Sequence, residues 1–94
     1  MANKFSDGDR VTVSPDYHWA KNAAGRIGAP PAQVTGLSGP WMDNLRRTVQ
    51  TRKGPVIFYW VWFDEPQRDA EGDGPYQGAE IPENDILRAS GNAD

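Results

Sequence analysis

Val56-Ile57-Phe58-Tyr59-Trp60-Val61-Trp62-Phe63, VIFYWVWF, is an unbroken run of β-branched and aromatic residues. Such side chains are stiff in a helix and pack well on a pleated surface, so the octapeptide predicts a strand. Successive side chains of a strand point to opposite faces. One face carries Val56, Phe58, Trp60 and Trp62, and the other Ile57, Tyr59, Val61 and Phe63. Both are apolar. A strand like this is buried on both sides, or it shows one aromatic face to a partner. Asp64-Glu65-Pro66 follows, and the missing proline N–H is expected to stop the ladder there.

The rest of the chain offers short strands only. Arg10-Val11-Thr12-Val13 alternates behind the turn residues Asp7-Gly8-Asp9 and reads as a first strand, broken by Ser14-Pro15-Asp16. Residues 17–24 read as a long polar and aromatic loop. Gly25-Arg26-Ile27-Gly28 reads as a second strand ended by Pro30-Pro31, with Gln33-Val34-Thr35 as its continuation. Ala79-Glu80-Ile81 and Ile86-Leu87-Arg88-Ala89 read as the last two strands, joined through Pro82-Glu83-Asn84-Asp85 as one 3₁₀ turn. Residues 36–54, GLSGPWMDNLRRTVQTRKG, are expected to form a mobile loop. Residues 1–6 and 90–94 are expected as disordered tails.

Ninety-four residues allow one domain and one modest core. Ten Gly, eight Pro and four Trp suit an all-β module in which large rings do the burying. Candidate core residues are Val11, Val13, Ile27, Val34, Val56, Phe58, Trp60, Trp62, Ile81, Ile86 and Leu87, the face of the central strand being open to a shift of one register. The expected fold is a single all-β domain, an SH3-like barrel of about five short antiparallel strands with a 3₁₀ turn before the last.

The opening Gly8-Asp9-Arg10-Val11-Thr12-Val13, with Gly25-Arg26-Ile27 downstream, resembles the start of KOW-type modules and of the small barrels in nitrile hydratase β-subunits. The likeness covers residues 8–35 and implies an SH3-like barrel with RNA or ribosome binding. It departs from the KOW pattern at Ser14-Pro15-Asp16, where a glycine normally follows the first strand. The C-terminal stretch FDEPQRDAEGDGPYQGAEIPENDIL is similar to that of small bacterial barrel proteins, a likeness that carries no activity with it.

Several chemistries are excluded or weakened by residue type. The chain has no cysteine, hence no disulfide, thiolate metal site or cysteine nucleophile. One histidine, His18, rules out a multi-histidine metal centre within one chain. It lies in a loop between Tyr17 and Trp19, where a general base can sit, but no orienting partner is visible in the sequence. Ser6, Ser14, Ser38 and Ser90 lie in no nucleophile-elbow context, and the glycines form neither a P-loop nor a dinucleotide fingerprint. No enzyme and no cofactor are expected. No stretch reaches the length of a membrane span, and MANKFSDGDR has no apolar run for a signal peptide. The expectation is a cytoplasmic protein with no membrane partner.

Asp69 to Glu80, DAEGDGPYQGAE, imitates a metal site. Asp69, Glu71 and Asp73 stand at positions 1, 3 and 5 of a calcium loop, Gly74 at 6 and Glu80 at 12. An EF-hand needs a flanking helix on each side, however, and here a strand precedes the loop while Pro82 follows it. The preferred reading is a hairpin loop whose glycines meet its turn requirements and whose acids keep it soluble.

Charge is unevenly spread. Residues 1–53 hold eight Lys/Arg against four Asp/Glu, and residues 54–94 hold two against nine. Lys21, Arg26, Arg46, Arg47, Arg52 and Lys53 are candidates for a basic nucleic-acid patch, opposed by the net charge of −3. A domain this small cannot bury all its aromatic rings. Tyr17, Trp19, Trp41 and Tyr76, in loops or beside prolines, are the candidates for an amphipathic groove that takes an extended peptide or a partner's surface, a second copy of the chain included. The favoured expectation is a non-catalytic binding or accessory module with a protein partner. The alternative is a KOW-like RNA- or DNA-binding module, and calcium binding by the 69–80 loop is the more remote one.

Overall fold

The computed structural model describes residues 5–32 and 45–89. Among them are six strands: β1 (Arg10–Val13), β2 (Ala24–Ile27), β3 (Arg46–Thr51), β4 (Gly54–Gln67), β5 (Tyr76–Pro82) and β6 (Ile86–Arg88), with a 3₁₀ turn at Glu83–Asp85. Every pairing is antiparallel.

β4 organises the sheet. One of its edges is shared end to end by β3, opposite Gly54 to Tyr59, and β2, opposite Val61 to Phe63. The handover falls at Trp60, whose N–H donates to Leu45 O at 3.1 Å and whose carbonyl accepts from Gly28 N–H at 3.2 Å. β5 takes the other edge. Beyond β2 come β1 and then β6. β5 and β6 thus lie at opposite ends of the sheet, yet only the 3₁₀ turn separates them in sequence. The sheet can meet that constraint only by curling, and the result is an all-β half-barrel compatible with an SH3-like barrel.

The curl chooses the inward face of β4. Tyr59, Val61 and Phe63 are buried with Val11, Val13, Ile27, Ile81 and Ile86. The sequence pointed to the other face, Val56, Phe58, Trp60 and Trp62, with a shift by one register left open; the structure takes the shifted choice. Two outward indoles settle against glycines. A Cβ on Gly78 would lie 2.8 Å from Trp60 Nε1, and one on Gly28 would lie 2.8 Å from Trp62 Cδ1. Trp60 is still only 7 % exposed, so β4 is buried on both sides at its centre.

Four further expectations change. Leu87 pairs with outward Thr12 and is 46 % exposed, so it is not core. Pro66 does not end β4, because the β5 register skips from Trp62 to Gln67 and the proline's missing N–H costs no ladder bond there. Phe5, within the expected N-terminal tail, is fully buried with its ring edge-on to Tyr59 at 5.2 Å. Arg46–Thr51, within the expected mobile loop, is β3. A two-residue turn, Arg52-Lys53, joins it to β4; Gly54 has φ 115° and its carbonyl accepts the Thr51 hydroxyl at 2.6 Å. Val34, the remainder of the 36–54 segment up to residue 44, and the tail 90–94 lie outside the described residues.

Candidate functional site

Two connections converge at one end of the half-barrel. The first is the β1–β2 loop. Ser14 is buried and anchors it: its N–H donates to Asp85 O of the 3₁₀ turn at 2.8 Å, and its hydroxyl accepts from Asp16 N–H at 3.0 Å. At the far side Asn22 N–H returns to Val13 O at 2.9 Å. Ala20 and Asn22 hold φ values of 53° and 64°, the left-handed conformation needed to turn the chain back so tightly. Ala20 and Ala23 enter the core, while Tyr17 and Trp19 pack half-buried against it. Trp19 stands edge-on to Phe63, 5.9 Å between centroids. His18 is exposed, its ring 4.4 Å from that of Tyr17.

The second connection joins β4 to β5 and holds the acidic stretch. Asp69 Oδ1 accepts the N–H groups of Glu71 at 3.0 Å and Asp73 at 2.9 Å, and Asp69 N–H donates to Asp73 O at 3.0 Å. Arg68 donates to the carbonyls of Gly72 at 3.0 Å and Gly74 at 3.4 Å. A small closed turn results, organised by one aspartate as turn-forming aspartates do. It delivers Tyr76 to the start of β5.

Trp19 and Tyr76 meet at this point. Their centroids are 5.7 Å apart and their planes 73° from each other. With Trp60, Gly78 and Ala79 they line a depression of about 510 Å³. Asp69, Glu71 and Glu80 stand around it, and His18 contributes to the rim. Desolvation holds the Tyr76 phenol above its ordinary range, and the charges of Asp69 and Asp73 push the same way. Burial likewise raises the Tyr17 phenol, a side-chain hydrogen bond with Trp19 acts against it, and the charges of Asp85 and Glu80 add to the rise.

Of the aromatic residues singled out in the sequence, Trp19 and Tyr76 therefore share one depression, and Tyr17 lies in the loop that carries Trp19. Trp41 is outside the described residues. Trp60 joins the group unforeseen, because the sequence reading placed it inside.

The calcium-loop residues are rearranged relative to an EF-hand. Carboxylate oxygens of Asp69, Glu71 and Asp73 come within 4.8 Å of one another. Glu80 has left the set: it lies on β5 and accepts from Arg47 Nε at 2.6 Å. Strands flank the loop, as the hairpin reading expects.

The basic residues lie in three places: Lys21 in the β1–β2 loop, Arg26 on β2, and Arg46, Arg47, Arg52 and Lys53 on the β3–β4 hairpin. Arg46 and Arg47 are consecutive on β3 and face opposite ways. Arg47 is bound to Glu80, and Lys21 borders a small hollow with Asp64 and Glu65. Arg26 sits opposite Arg10 on the outer face, where Arg10 grips Asp64 through two hydrogen bonds, 3.0 Å at Oδ1. Arg52 and Lys53 occupy the exposed tip of the β3–β4 hairpin. Among the described residues no helix is long and apolar enough to cross a membrane. No family model, curated protein or solved structure matches this chain.

Proposed function

We propose that this protein is a non-catalytic binding module that recognises an extended segment of a protein partner in the depression between the β1–β2 loop and the start of β5. The observation that carries this reading is the Trp19–Tyr76 pair, two partly exposed rings at 5.7 Å that line a hollow of about 510 Å³. That volume takes a side chain and its flanking backbone, well within the range of ordinary ligand sites. Aromatic rings of this kind give much contact area for little conformational entropy, which is why they dominate recognition surfaces. The anchoring of the loop to the 3₁₀ turn supports the reading further, since a pre-organised groove loses less on binding.

Nucleic-acid binding has less behind it. Two of its basic residues, Arg47 and Lys21, lie beside carboxylates. One pair of measurements separates the two. A displayed library of random peptides is selected on the folded protein, and the enriched peptides are titrated against variants. Peptide recognition predicts binding that is lost in Trp19→Ala and Tyr76→Ala and kept in Arg52→Glu with Lys53→Glu. Failure to enrich any peptide, with retention on heparin at low salt that the double charge reversal abolishes, would reverse the order of the readings.

A further inference from the structure

The depression has a charge as well as a shape. Its rings are Trp19, Trp60 and Tyr76, and its charged lining is Asp69, Glu71 and Glu80. Among the described residues that line it there is no Lys or Arg. Two cations beside the lining are engaged: Arg68 with the carbonyls of Gly72 and Gly74, and Arg47 with Glu80. Glu80 is thereby engaged; Asp69 accepts the Tyr76 hydroxyl at 3.5 Å, Glu71 is exposed, and carboxylate oxygens of Asp69, Glu71 and Asp73 lie within 4.8 Å of one another.

Three kinds of side chain can be compared in such a place. An acidic one meets carboxylates of its own sign and is repelled. A neutral aliphatic one gains contact with the rings and with Ala79, but leaves the surrounding field unused. A cationic one gains both. Its methylene stem packs on the apolar lining and its head is drawn to the aromatic rings and to the carboxylates together. The two rings stand at 73° to each other, 5.7 Å between centroids, and both line the hollow.

We infer that this depression is a receptor for a basic side chain, a lysine or arginine held in an extended segment of the protein partner. The inference rests on the peptide-recognition reading and adds its specificity. Asp69 acts as a positioning residue, since its Oδ1 already holds the turn that places Glu71. Glu71 is the exposed carboxylate that meets the incoming charge.

The test uses five glycine-rich peptides that differ at one central residue: lysine, Nε-trimethyl-lysine, arginine, norleucine and glutamate. Each is titrated into the labelled protein to millimolar concentration, following backbone amides and indole N–H signals by NMR. The expected result is that the cationic peptides shift Trp19, Tyr76 and Glu71 and bind roughly tenfold or more tightly than norleucine, the glutamate peptide being weakest. Added salt should weaken the cationic peptides and leave norleucine unmoved. Trp19→Ala should abolish the preference. Because that variant also loses its contact with Phe63, Glu71→Lys is the second variant, and it should reduce lysine binding about tenfold. Equal binding of norleucine and lysine would overturn the charge inference while leaving peptide recognition standing. No binding by any of the five would overturn both.

Discussion

Arg47 on β3 and Glu80 on β5 are joined by a 2.6 Å hydrogen bond that passes over the outward face of β4, between strands lying on its opposite edges. Their side chains are 23 % and 24 % exposed, and the Arg47 guanidinium also lies 5.7 Å from the Phe58 ring centroid. The pair therefore does two things: it clamps three strands together, and it orients a carboxylate that borders the aromatic depression.

A double-mutant cycle measures the clamp. Arg47→Ala, Glu80→Ala and the double variant, unfolded in urea, should give a coupling of about 1 kcal/mol, the upper end of surface pairs, because this one is half-buried and charge-assisted. The double variant should be less destabilised than the two single losses summed. A coupling indistinguishable from zero would mean that the pair only decorates the surface.

Gly78 has a second job besides fitting the strand. A Cβ there would lie 2.7 Å from Val61 O and 2.8 Å from Trp60 Nε1, and the first of these neighbours is backbone that cannot step aside. Gly78→Ala is expected to cost about 1–3 kcal/mol by overpacking and to red-shift tryptophan fluorescence as the Trp60 indole is pushed toward water. Gln77→Ala, one residue away on the exposed side, should stay within about 0.5 kcal/mol. Equal stabilities for the two variants would show that β5 can slide away from the indole.

Alkaline pH should loosen the β1–β2 loop. Tyr17 holds its proton more tightly in the folded chain than in the unfolded one, first through burial. A group whose folded value is raised contributes stability that is complete below the unfolded value and is lost as pH rises through the folded one. The urea midpoint should thus fall as pH climbs above about 10, and fall less in Tyr17→Phe. Identical alkaline profiles for the two proteins would remove Tyr17 from the account.

Much of this architecture is legible in the sequence. VIFYWVWF reads as a strand because its propensity is local, and the 3₁₀ step at Glu83–Asp85 announces itself through Pro82 and the acids after it. β3 was harder. Arg46–Thr51 is polar and weakly alternating, and becomes a strand because the exposed edge of β4 offers it a ladder. Thr48-Val49 and Gly54, three residues after Thr51, were the available signals. Phe5 had none, since a single ring in a polar segment does not say what it will cover.

Local sequence was enough for an all-β chain with β4 at its centre, and it marked Tyr17, Trp19, Trp41 and Tyr76 as rings without an obvious place in the core. Those properties follow from side-chain shape and from a period of two, which depend on near neighbours alone. Which apolar face of β4 turns inward is settled by tertiary packing, because alternation is symmetric and treats both faces alike. What lies opposite broke the symmetry: aliphatic residues of β1, β2 and β5 on one side, and Gly28 and Gly78 leaving room for indoles on the other. Only the tertiary structure, too, set Trp19 against Tyr76 with carboxylates around them, since that meeting is made by the curl of the sheet and by no stretch of chain.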